Sequence, residues 1–572
     1  MRVMRMLACI AAMSISNVAM AQELAEVVLG SETLTVKQAE DLLNQDGRLD
    51  LFYLFSLTPE VAEVLARHKG KLRLESLTSL EPGVAEALAK HSGDLVLSGL
   101  TTLSDDAAEA LATHEGYLAL NGLTELSPRA SAALAECKGK LSLGGIALLS
   151  SVPLATKLVT SDLEGVSLGL ITISDEVAAS LAQHRGDLLS LNNLTTLSPD
   201  AAAALAECEA PLALDGITEL SDDAAEALAR RHYITLPDLR TLTNASLAKR
   251  LAENGIRDCR LDNLTAISSD AAEALAAFGG GLSLDGLWAL SPQQARALAK
   301  NEDWLSLDGV ITLSPEAAKE LAAHAHGSLS LDGLEELSNE AAAALSKHKG
   351  GYLLLNGLAD LQPEAAKALA QHQGGGFLHL NGLADLQPEA AKALAQYKSQ
   401  LHLNGLKTLT PDVAAALADH TMGISLNGLP AITPESAEAL AKSKSQYLKL
   451  DGLTELSPAA TRGLATYEHS LELNGLTALS PELAEAFASK QAGSLGLSGV
   501  AALTDEAAEA LAKFKGDYLQ LGGLTTLSDK AAEALAKYVG RLRLGGLTTL
   551  SDEAEKALRS NPKVQLPEKI GR

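Results

Sequence analysis

The chain repeats a block of about 23 residues, from near its start almost to its end. The segment Asn356–Gln371, NGLADLQPEAAKALAQ, recurs letter for letter as Asn381–Gln396. Looser copies follow L-x-L-x-G-L-x-x-L-[ST]-x-x-x-A-x-A-L-A-x-H-x-G through nearly all of the remaining sequence. Such self-similarity predicts a solenoid, in which each unit buries its apolar face only against its neighbours. This architecture presents a long surface and rarely contains an active-site cleft.

The apolar residue after the repeat glycine defines the register. It recurs 22 times between Leu54 and Leu547, at spacings of about 22 to 25 residues. A length of 572 residues would ordinarily suggest three or four domains, but the unbroken period predicts one elongated repeat domain over residues 49–558. We interpret residues 22–48 as an N-terminal cap and residues 559–572 as a C-terminal cap or tail.

One repeat, residues 329–350, shows how the pattern predicts local structure. Leu329 and Leu331 alternate with polar residues, which is typical of a short strand with one buried face. Gly333 is expected to relax the backbone for a turn. Ser338 is the predicted N-cap of a helix built from the AAAAL run, and Gly350 is the expected stop.

One strand and one helix per repeat predict a parallel sheet on one face and a row of helices on the other. Strands lie about 4.8 Å apart while helices need roughly 8–10 Å, so the stack is expected to curve with the sheet inside. The predicted fold class is α/β: a right-handed curved solenoid of about 22 strand–helix repeats with a parallel sheet on the concave face.

With this period and these leucines, the pattern resembles the leucine-rich repeat family. Its helical half, G/A-x-A-L-A, is similar to the ribonuclease-inhibitor-like and GALA-type repeats. The resemblance covers roughly residues 28–567, with one departure: leucine stands near the place of the asparagine that normally closes the turn. The resemblance implies binding of proteins or other ligands on the concave sheet.

The N-terminus is typical of a secretory signal peptide over residues 1–21. Arg2 and Arg5 precede the short apolar stretch Met6–Ile15, and Ala19-Met20-Ala21 forms an A-x-A cleavage site. We therefore expect an exported bacterial protein, periplasmic or extracellular, without membrane insertion. The three cysteines that follow the signal peptide, Cys137, Cys208 and Cys259, are expected to be buried free thiols.

Charge and motifs exclude several classes of function. The formal charge is −26, and removing the two signal-peptide arginines makes it −28. Such acidity argues against nucleic acid or anionic lipid as the main partner. The sequence contains no G-x-S-x-G, H-E-x-x-H, P-loop, Rossmann or C-x-x-C motif, so we expect a non-enzymatic protein without cofactors.

In stacked repeats, equivalent sequence positions form columns, and two of these columns contain candidate metal ligands. An Asp/Asn column precedes the repeat glycine, and four successive carboxylates in it, Asp262, Asp285, Asp308 and Asp332, allow a calcium ladder as one interpretation. The other interpretation is that each side chain caps its own turn. A histidine column, with Phe, Tyr and Cys at some positions, follows the helices and is interpreted as packing rather than as a zinc site.

The candidate binding residues fall into two sets. The first set lies at or beside the predicted concave strands and comprises Trp304, Tyr352, Phe377, His379 and His402. The second is a basic island in this acidic chain, where the repeat is irregular, comprising Arg230, Arg231, Arg240, Lys249, Arg250, Arg257 and Arg260. A second irregular stretch spans residues 150–169, and drift within a long array is the alternative explanation for both.

The sequence thus favours an exported binding scaffold that recognises a protein, or a glycan, on its concave sheet. The alternative is a structural protein of the envelope or extracellular matrix that associates with its own copies. In both cases a protein partner or self-association is expected.

Overall fold

The computed structural model describes residues 34–43, 47–52, 54–161, 164–254 and 257–570. The predicted signal peptide, residues 1–21, lies outside the described residues. Contacts divide the chain into two compact units, Met1–Asn254 and Gly255–Arg572, which we call the first and second units.

One short helix recurs in each repeat of both units. In the described part of the first unit they are α1 Val36–Leu42, α2 Pro59–Leu65, α3 Pro82–Leu88, α4 Asp105–Leu111, α5 Pro128–Ala135, α6 Val152–Thr160, α7 Asp175–Leu181, α8 Pro199–Ala206, α9 Asp222–Leu228 and α10 Ala245–Asn254. In the second unit they are α11 Ser269–Ala276, α12 Pro292–Leu298, α13 Pro315–Leu321, α14 Asn339–Leu345, α15 Pro363–Leu369, α16 Pro388–Leu394, α17 Pro411–Leu417, α18 Pro434–Leu440, α19 Pro458–Ala465, α20 Pro481–Ala488, α21 Asp505–Leu511, α22 Asp529–Leu535 and α23 Asp552–Arg559.

The helices begin where the sequence places a capping residue. Ser338 is the N-cap of α14, as predicted, and its hydroxyl accepts a hydrogen bond of 3.1 Å from the backbone N–H of Ala341. Many other helices carry proline at the first helical position, where no backbone N–H is needed. The alanine-rich run then favours helix, and the buried side chains Ala341, Ala342 and Leu345 face the interior.

Short strands alternate with the helices. The first unit contains β1 Leu49–Asp50, β2 Leu72–Arg73, β3 Leu95–Val96, β4 Leu118–Ala119, β5 Leu141–Ser142, β6 Gly165–Ser167, β7 Leu188–Ser190, β8 Leu212–Ala213 and β9 Thr241–Leu242. The second unit contains β10 Asp258–Arg260, β11 Ala266–Ile267, β12 Gly281–Ser283, β13 Leu305–Ser306, β14 Leu329–Ser330, β15 Leu353–Leu354, β16 Leu378–His379, β17 Leu401–His402, β18 Ile424–Ser425, β19 Tyr447–Lys449, β20 Ser470–Glu472, β21 Ser494–Gly496, β22 Tyr518–Gln520, β23 Arg541–Arg543 and β24 Val564–Gln565.

These strands form parallel sheets in chain order. In the first unit, β1 to β5 form one sheet and β6 to β8 another; in the second unit, β10 and β12 to β24 form a sheet of 14 strands. Leu305, Leu329 and Leu353 are aligned in register on neighbouring strands and are fully buried. Burying one such leucine contributes about 1.5–3 kcal/mol, so these columns form the core. Parallel strands alternating with helices confirm the predicted α/β repeat solenoid.

The repeat glycines serve close packing rather than a special backbone angle. Among the described glycines, a positive φ occurs at Gly47, Gly327 and Gly493 only. A Cβ at Gly333 would lie 1.9 Å from the carbonyl oxygen of Asp308 in the preceding repeat. Gly333 lies in a turn, as expected, but the reason for glycine differs from the expected one: it is needed there to let two backbones approach.

The two irregular stretches of the sequence coincide with breaks between the parallel sheets. Helix α6 lies within residues 150–169, between the sheet that ends at β5 and the sheet that begins at β6. After β8, Thr235 makes an isolated parallel bridge to Ala213 before the short strand β9. None of the described helices is long and apolar enough to span a membrane.

Candidate binding surface

The strand alternation in the second unit determines which side chains lie on the outside of its sheet. Leu378 and Leu380 are fully buried, so His379 between them points to the opposite face, which we call the open sheet face. His379 is in direct register with His402 on the next strand. The two candidate histidines therefore lie side by side because their repeats are aligned.

Four ring side chains meet on the open sheet face along β15 to β17. Tyr352 and Phe377 have ring centroids 4.9 Å apart, and Phe377 lies 5.3 Å from His402. His379 and His402 stack at 4.3 Å with an interplanar angle of 6°. Tyr352 is 43% exposed and the other three are half-buried. We call Tyr352, Phe377, His379 and His402 the aromatic–histidine cluster.

Burial keeps the imidazoles of this cluster neutral. It lowers the pKa of His402 to about 4, with repulsion from His379 and Lys449 acting in the same direction. Burial also lowers the pKa of His379, against the attraction of Asp332. The Nε2 atom of His402 is buried and has no protein hydrogen-bond partner. At neutral pH the cluster therefore presents uncharged ring faces.

Trp304 lies on the same sheet but outside the cluster. Its indole occupies the space where a side chain at Gly281 on the neighbouring strand would lie. The guanidinium of Arg260 is 5.7 Å from the Trp304 ring, which is within the range of a cation–π contact. This contact joins Trp304, a candidate residue beside the strands, to Arg260, a member of the basic island.

The Asp/Asn column links consecutive repeats. In the second unit, an Asx side-chain oxygen accepts from the backbone N–H of the corresponding residue in the next repeat, at 2.8–3.0 Å from Asp285 through Asn474. Asp308, for example, accepts from the backbone N–H of Asp332 and from the Ser330 hydroxyl. The interpretation that each residue caps its own turn was wrong, since these bonds cross between repeats.

The four carboxylates considered for calcium belong to this ladder. Oxygens of Asp262 and Asp285 accept from Ser283, and those of Asp308 and Asp332 accept backbone N–H groups. Among the residues that the structure describes, no group of three or more His, Cys, Asp or Glu side chains is arranged to hold a metal ion.

The basic island separates into exposed and buried members. In the first unit, Arg231 is buried, and its guanidinium donates to the carbonyls of Leu205, Cys208 and Ala210 at 2.7–2.9 Å. Arg231 is therefore removed from any exposed basic surface. Arg250 binds the Ala229 carbonyl at 3.1 Å and Glu253 at 2.9 Å.

The remaining members of the island are exposed. Arg230, Arg240 and Lys249 are exposed in the first unit, and Arg257 and Arg260 are exposed in the second.

The histidine column is buried, which confirms its interpretation as packing, but it also has a polar role that the sequence analysis missed. In the first unit we call His68, His91 and His114 the histidine stack; their ring centroids are 6.3 Å apart. The two ring nitrogens of His91 face the carbonyl oxygens of Gly70 at 2.9 Å and Ala66 at 3.3 Å. A neutral imidazole has one N–H, so His91 donates to one of these carbonyls, and the shorter contact, to Gly70, is the one we assign. The column therefore supplies hydrogen bonds to backbone carbonyls.

Other polar residues take the same column position and role. Arg231, Asn301 and Lys490 are buried there and donate to carbonyls of the preceding repeat. Burial lowers the pKa of Lys490 to about 8. Each follows a buried core residue by three positions, Leu228, Leu298 or Phe487, and this spacing was the available sequence signal.

No protein-family model matches the chain, and no curated protein matches it. Among solved structures, it is similar to a leucine-rich repeat protein of Leptospira interrogans, with 20% identity and a TM-score of 0.28 over 74% of this chain and 94% of the other. It is similar to TLR13 in a complex with ssRNA13, with 19% identity and a TM-score of 0.31 over 87% of this chain and 66% of the other. It is also similar to a chain of the Toll–Spätzle complex of Drosophila, with 14% identity and a TM-score of 0.35 over 67% and 46%. The regular strand–helix repeats of the structure confirm the resemblance to leucine-rich repeat proteins at the level of the fold.

Proposed function

We propose that the open sheet face of the second unit binds a partner protein, with the aromatic–histidine cluster as its anchor. The observation that carries this proposal is the meeting of four partly exposed rings on three adjacent strands, with centroids of consecutive rings 4.3–5.3 Å apart. Aromatic side chains are enriched among the residues that dominate binding energy, because they bury a large area at low cost in conformational entropy. A regular sheet holds these rings in place before a partner arrives.

Charged groups lie beside the cluster rather than within it. Lys449 lies two strands beyond His402, pairs with Glu472 at 3.3 Å and lies 5.6 Å from the Tyr447 ring. An apolar centre with a charged rim is the usual arrangement of a protein–protein interface. The arrangement therefore supports recognition of an apolar segment of a partner.

We propose that this surface acts by binding rather than by catalysis. An imidazole whose pKa is about 4, as at His402, is a weak general base at neutral pH. The stacked geometry of His379 and His402 exposes ring faces instead of pointing two nitrogens at one reacting atom.

We further propose that the protein is exported, as residues 1–21 indicate. Expression of the full chain in a Gram-negative host followed by N-terminal sequencing tests this part separately. A mature N-terminus at Gln22 in the periplasmic or extracellular fraction is expected. Cytoplasmic protein that still starts at Met1 would contradict export.

Quantitative affinity capture tests the binding surface. The full chain and a Phe377→Ala/His402→Ser variant are used as baits for a crosslinked envelope and extracellular extract. A partner identified with the parent should bind the variant roughly 30-fold more weakly, since loss of a binding anchor costs about 2 kcal/mol. Tyr518→Ala is the matched control, because Tyr518 starts β22 on the same sheet, away from the cluster.

Equal binding by the parent and the double variant would contradict the proposed surface. Light scattering on the same samples identifies the second possible outcome, in which the captured partner is another copy of this chain.

A further inference from the structure

A buried hydrogen-bonded chain of side chains runs through the second unit. We call His324, His348, His372 and Tyr397 the histidine chain. The Nδ1 atom of His324 lies 3.2 Å from Nε2 of His348, and Nδ1 of His348 lies 3.2 Å from Nε2 of His372. Nδ1 of His372 then lies 3.4 Å from the Tyr397 hydroxyl.

Both ends of this chain meet groups that only accept hydrogen bonds. Nε2 of His324 faces the backbone carbonyl of Asp303 at 2.9 Å. At the other end, the Tyr397 hydroxyl donates to the backbone carbonyl of Gly376 at 2.7 Å. Four side chains therefore form five hydrogen-bond contacts between two carbonyl oxygens.

The number of protons does not match the number of contacts. A neutral imidazole carries one N–H and a tyrosine carries one O–H, so the neutral histidine chain has four protons for five contacts. One contact must lack a proton. The longest contact, 3.4 Å between His372 and Tyr397, is the one we assign, because Tyr397 directs its proton to Gly376. All three imidazoles then carry their proton on Nε2.

We propose that the histidine chain is a binding site for one additional proton, which enters at Nδ1 of His372 and is shared along the three imidazoles. The added proton comes from water and completes the fifth contact by making His372 a donor to the Tyr397 oxygen. Transfer of the Nε2 proton of His372 to Nδ1 of His348 moves the positive charge by one ring. A second proton has no empty contact to fill and meets a like charge.

The surroundings keep the site neutral until the solution is acidic. Burial lowers the pKa of His348 to about 3, with repulsion from His324 and His372 acting in the same direction. Burial also lowers the pKa of His372 to about 4. At the far end, burial lowers the pKa of His324, while Asp303 acts to raise it and His326 acts to lower it. The entry point at Nδ1 of His372 follows from the contact with Tyr397 that lacks a proton, not from the electrostatic surroundings.

Tyr397 adds two contacts to the chain but only one proton, which is why one contact lacks a proton. Replacing Tyr397 by Phe leaves three contacts, from Asp303 to His372, for three protons. Tyr397→Phe should therefore lower the pH at which the first imidazole becomes charged by about one to two units, roughly 10- to 100-fold in proton affinity, because a charge-assisted hydrogen bond is lost. Tyr538→Phe is the matched control, since the Tyr538 hydroxyl donates to the Gly516 carbonyl at 2.8 Å and its ring stacks on Phe514.

Nitrogen-15 NMR of histidine-labelled full-length protein tests the proposal. At pH 7 the three rings should all show the Nε2–H tautomer, in the parent and in both variants. On acidification one proton should enter per chain, first at His372, at a lower pH in Tyr397→Phe and at the parental pH in Tyr538→Phe.

A proton on Nδ1 of any of the three rings at pH 7 would overturn the assignment. Equal titration of the parent and Tyr397→Phe, or independent titration of the three rings, would overturn the shared site. The tautomers are read at neutral pH, so the proposal stays testable even when acid unfolds the protein early in the titration.

Discussion

The same column of the repeat is built in two ways in the two units. In the histidine stack of the first unit, ring centroids are 6.3 Å apart, and ring nitrogens of His68 and His91 face backbone carbonyls. In the histidine chain of the second unit, the imidazole centroids are 5.5 Å apart and the rings bond to one another. Residue type is identical in both, so the surrounding loops must decide what each ring contacts.

The length of the repeat explains the difference. The repeat from His324 to His348 is one residue longer than the repeat from His68 to His91. In the shorter repeat of the first unit, the carbonyl oxygen of Gly70 lies 2.9 Å from Nε2 of His91. In the longer repeat of the second unit, the carbonyl of Gly327 instead accepts the backbone N–H of Gly351. The Nε2 atom of His348 instead lies 3.2 Å from Nδ1 of His324. We infer that one added residue per repeat moves the loop carbonyl and so turns separate contacts into a connected chain.

The largest difference between the two columns is expected on removing a ring. His348→Phe leaves the facing nitrogens of His324 and His372 without partners in a buried site, which should lower the free energy of unfolding by about 2–4 kcal/mol. His91→Phe leaves chiefly the Gly70 carbonyl unpaired, and a loss of about 1–2 kcal/mol is expected. Urea unfolding of the two variants measures both values, and equal losses would show that the connection between rings adds nothing.

Acid is expected to act strongly on the second unit. The pKa values of His348 at about 3 and His372 at about 4 lie below the value of 6.5 in an unfolded chain. Their contribution to stability is therefore complete above pH 6.5 and is lost as the pH falls toward 4, because the unfolded state binds more protons. We expect the free energy of unfolding to drop by at least about 2 kcal/mol over that range.

Replacing His372 by Phe should reduce this pH dependence, because one titrating group is removed. Unfolding curves of the parent and the variant at pH 7 and pH 4 provide the comparison. Parallel losses in both proteins would assign the acid sensitivity to other groups.

Changing the loop length should convert one column into the other at small cost. Deleting His326 shortens the repeat to the length found between His68 and His91, which should turn the Gly327 carbonyl toward Nε2 of His348 at about 3.0 Å. The free energy of unfolding should change by about 1 kcal/mol or less, since one hydrogen bond replaces another. A crystal structure of the deletion variant checks the contact, and a ring pair retained between His324 and His348 would refute the role of loop length.

The smallest effect on stability is expected on the open sheet face. Tyr352 is 43% exposed, so Tyr352→Ala should change the free energy of unfolding by about 0.5 kcal/mol or less, in contrast to the buried column. Thermal and urea unfolding measure this value. A loss comparable to that of His348→Phe would mean that the cluster is a structural element instead of a free surface.

Local structure followed from the sequence because it depends on nearest neighbours in the chain. The strand position of Leu329 and the N-cap at Ser338 were predicted correctly, since alternation and capping are local rules. The pairing of His379 with His402 also follows from the repeat register. These features need no knowledge of how loops pack.

Contacts between repeats could not be read from the sequence in the same way. The close approach at Gly333 and the ladder of Asx side chains depend on distances between consecutive turns. Arg231 looked like part of an exposed basic run, yet its column position buries it under carbonyls of the preceding repeat. The histidine chain depends on which atoms of the neighbouring repeat lie within hydrogen-bond distance of each ring, and only the folded loops determine this.

Site-specific photo-crosslinking tests most directly the claim that the open sheet face is the binding surface. A benzophenone amino acid is introduced in place of Tyr352 in one variant and in place of Lys392, an exposed residue on helix α16, in another. We predict that illumination in the presence of the captured partner joins it to the protein carrying the probe at position 352, and that position 392 gives background yield. Efficient crosslinking from position 392 with none from position 352 would contradict the account.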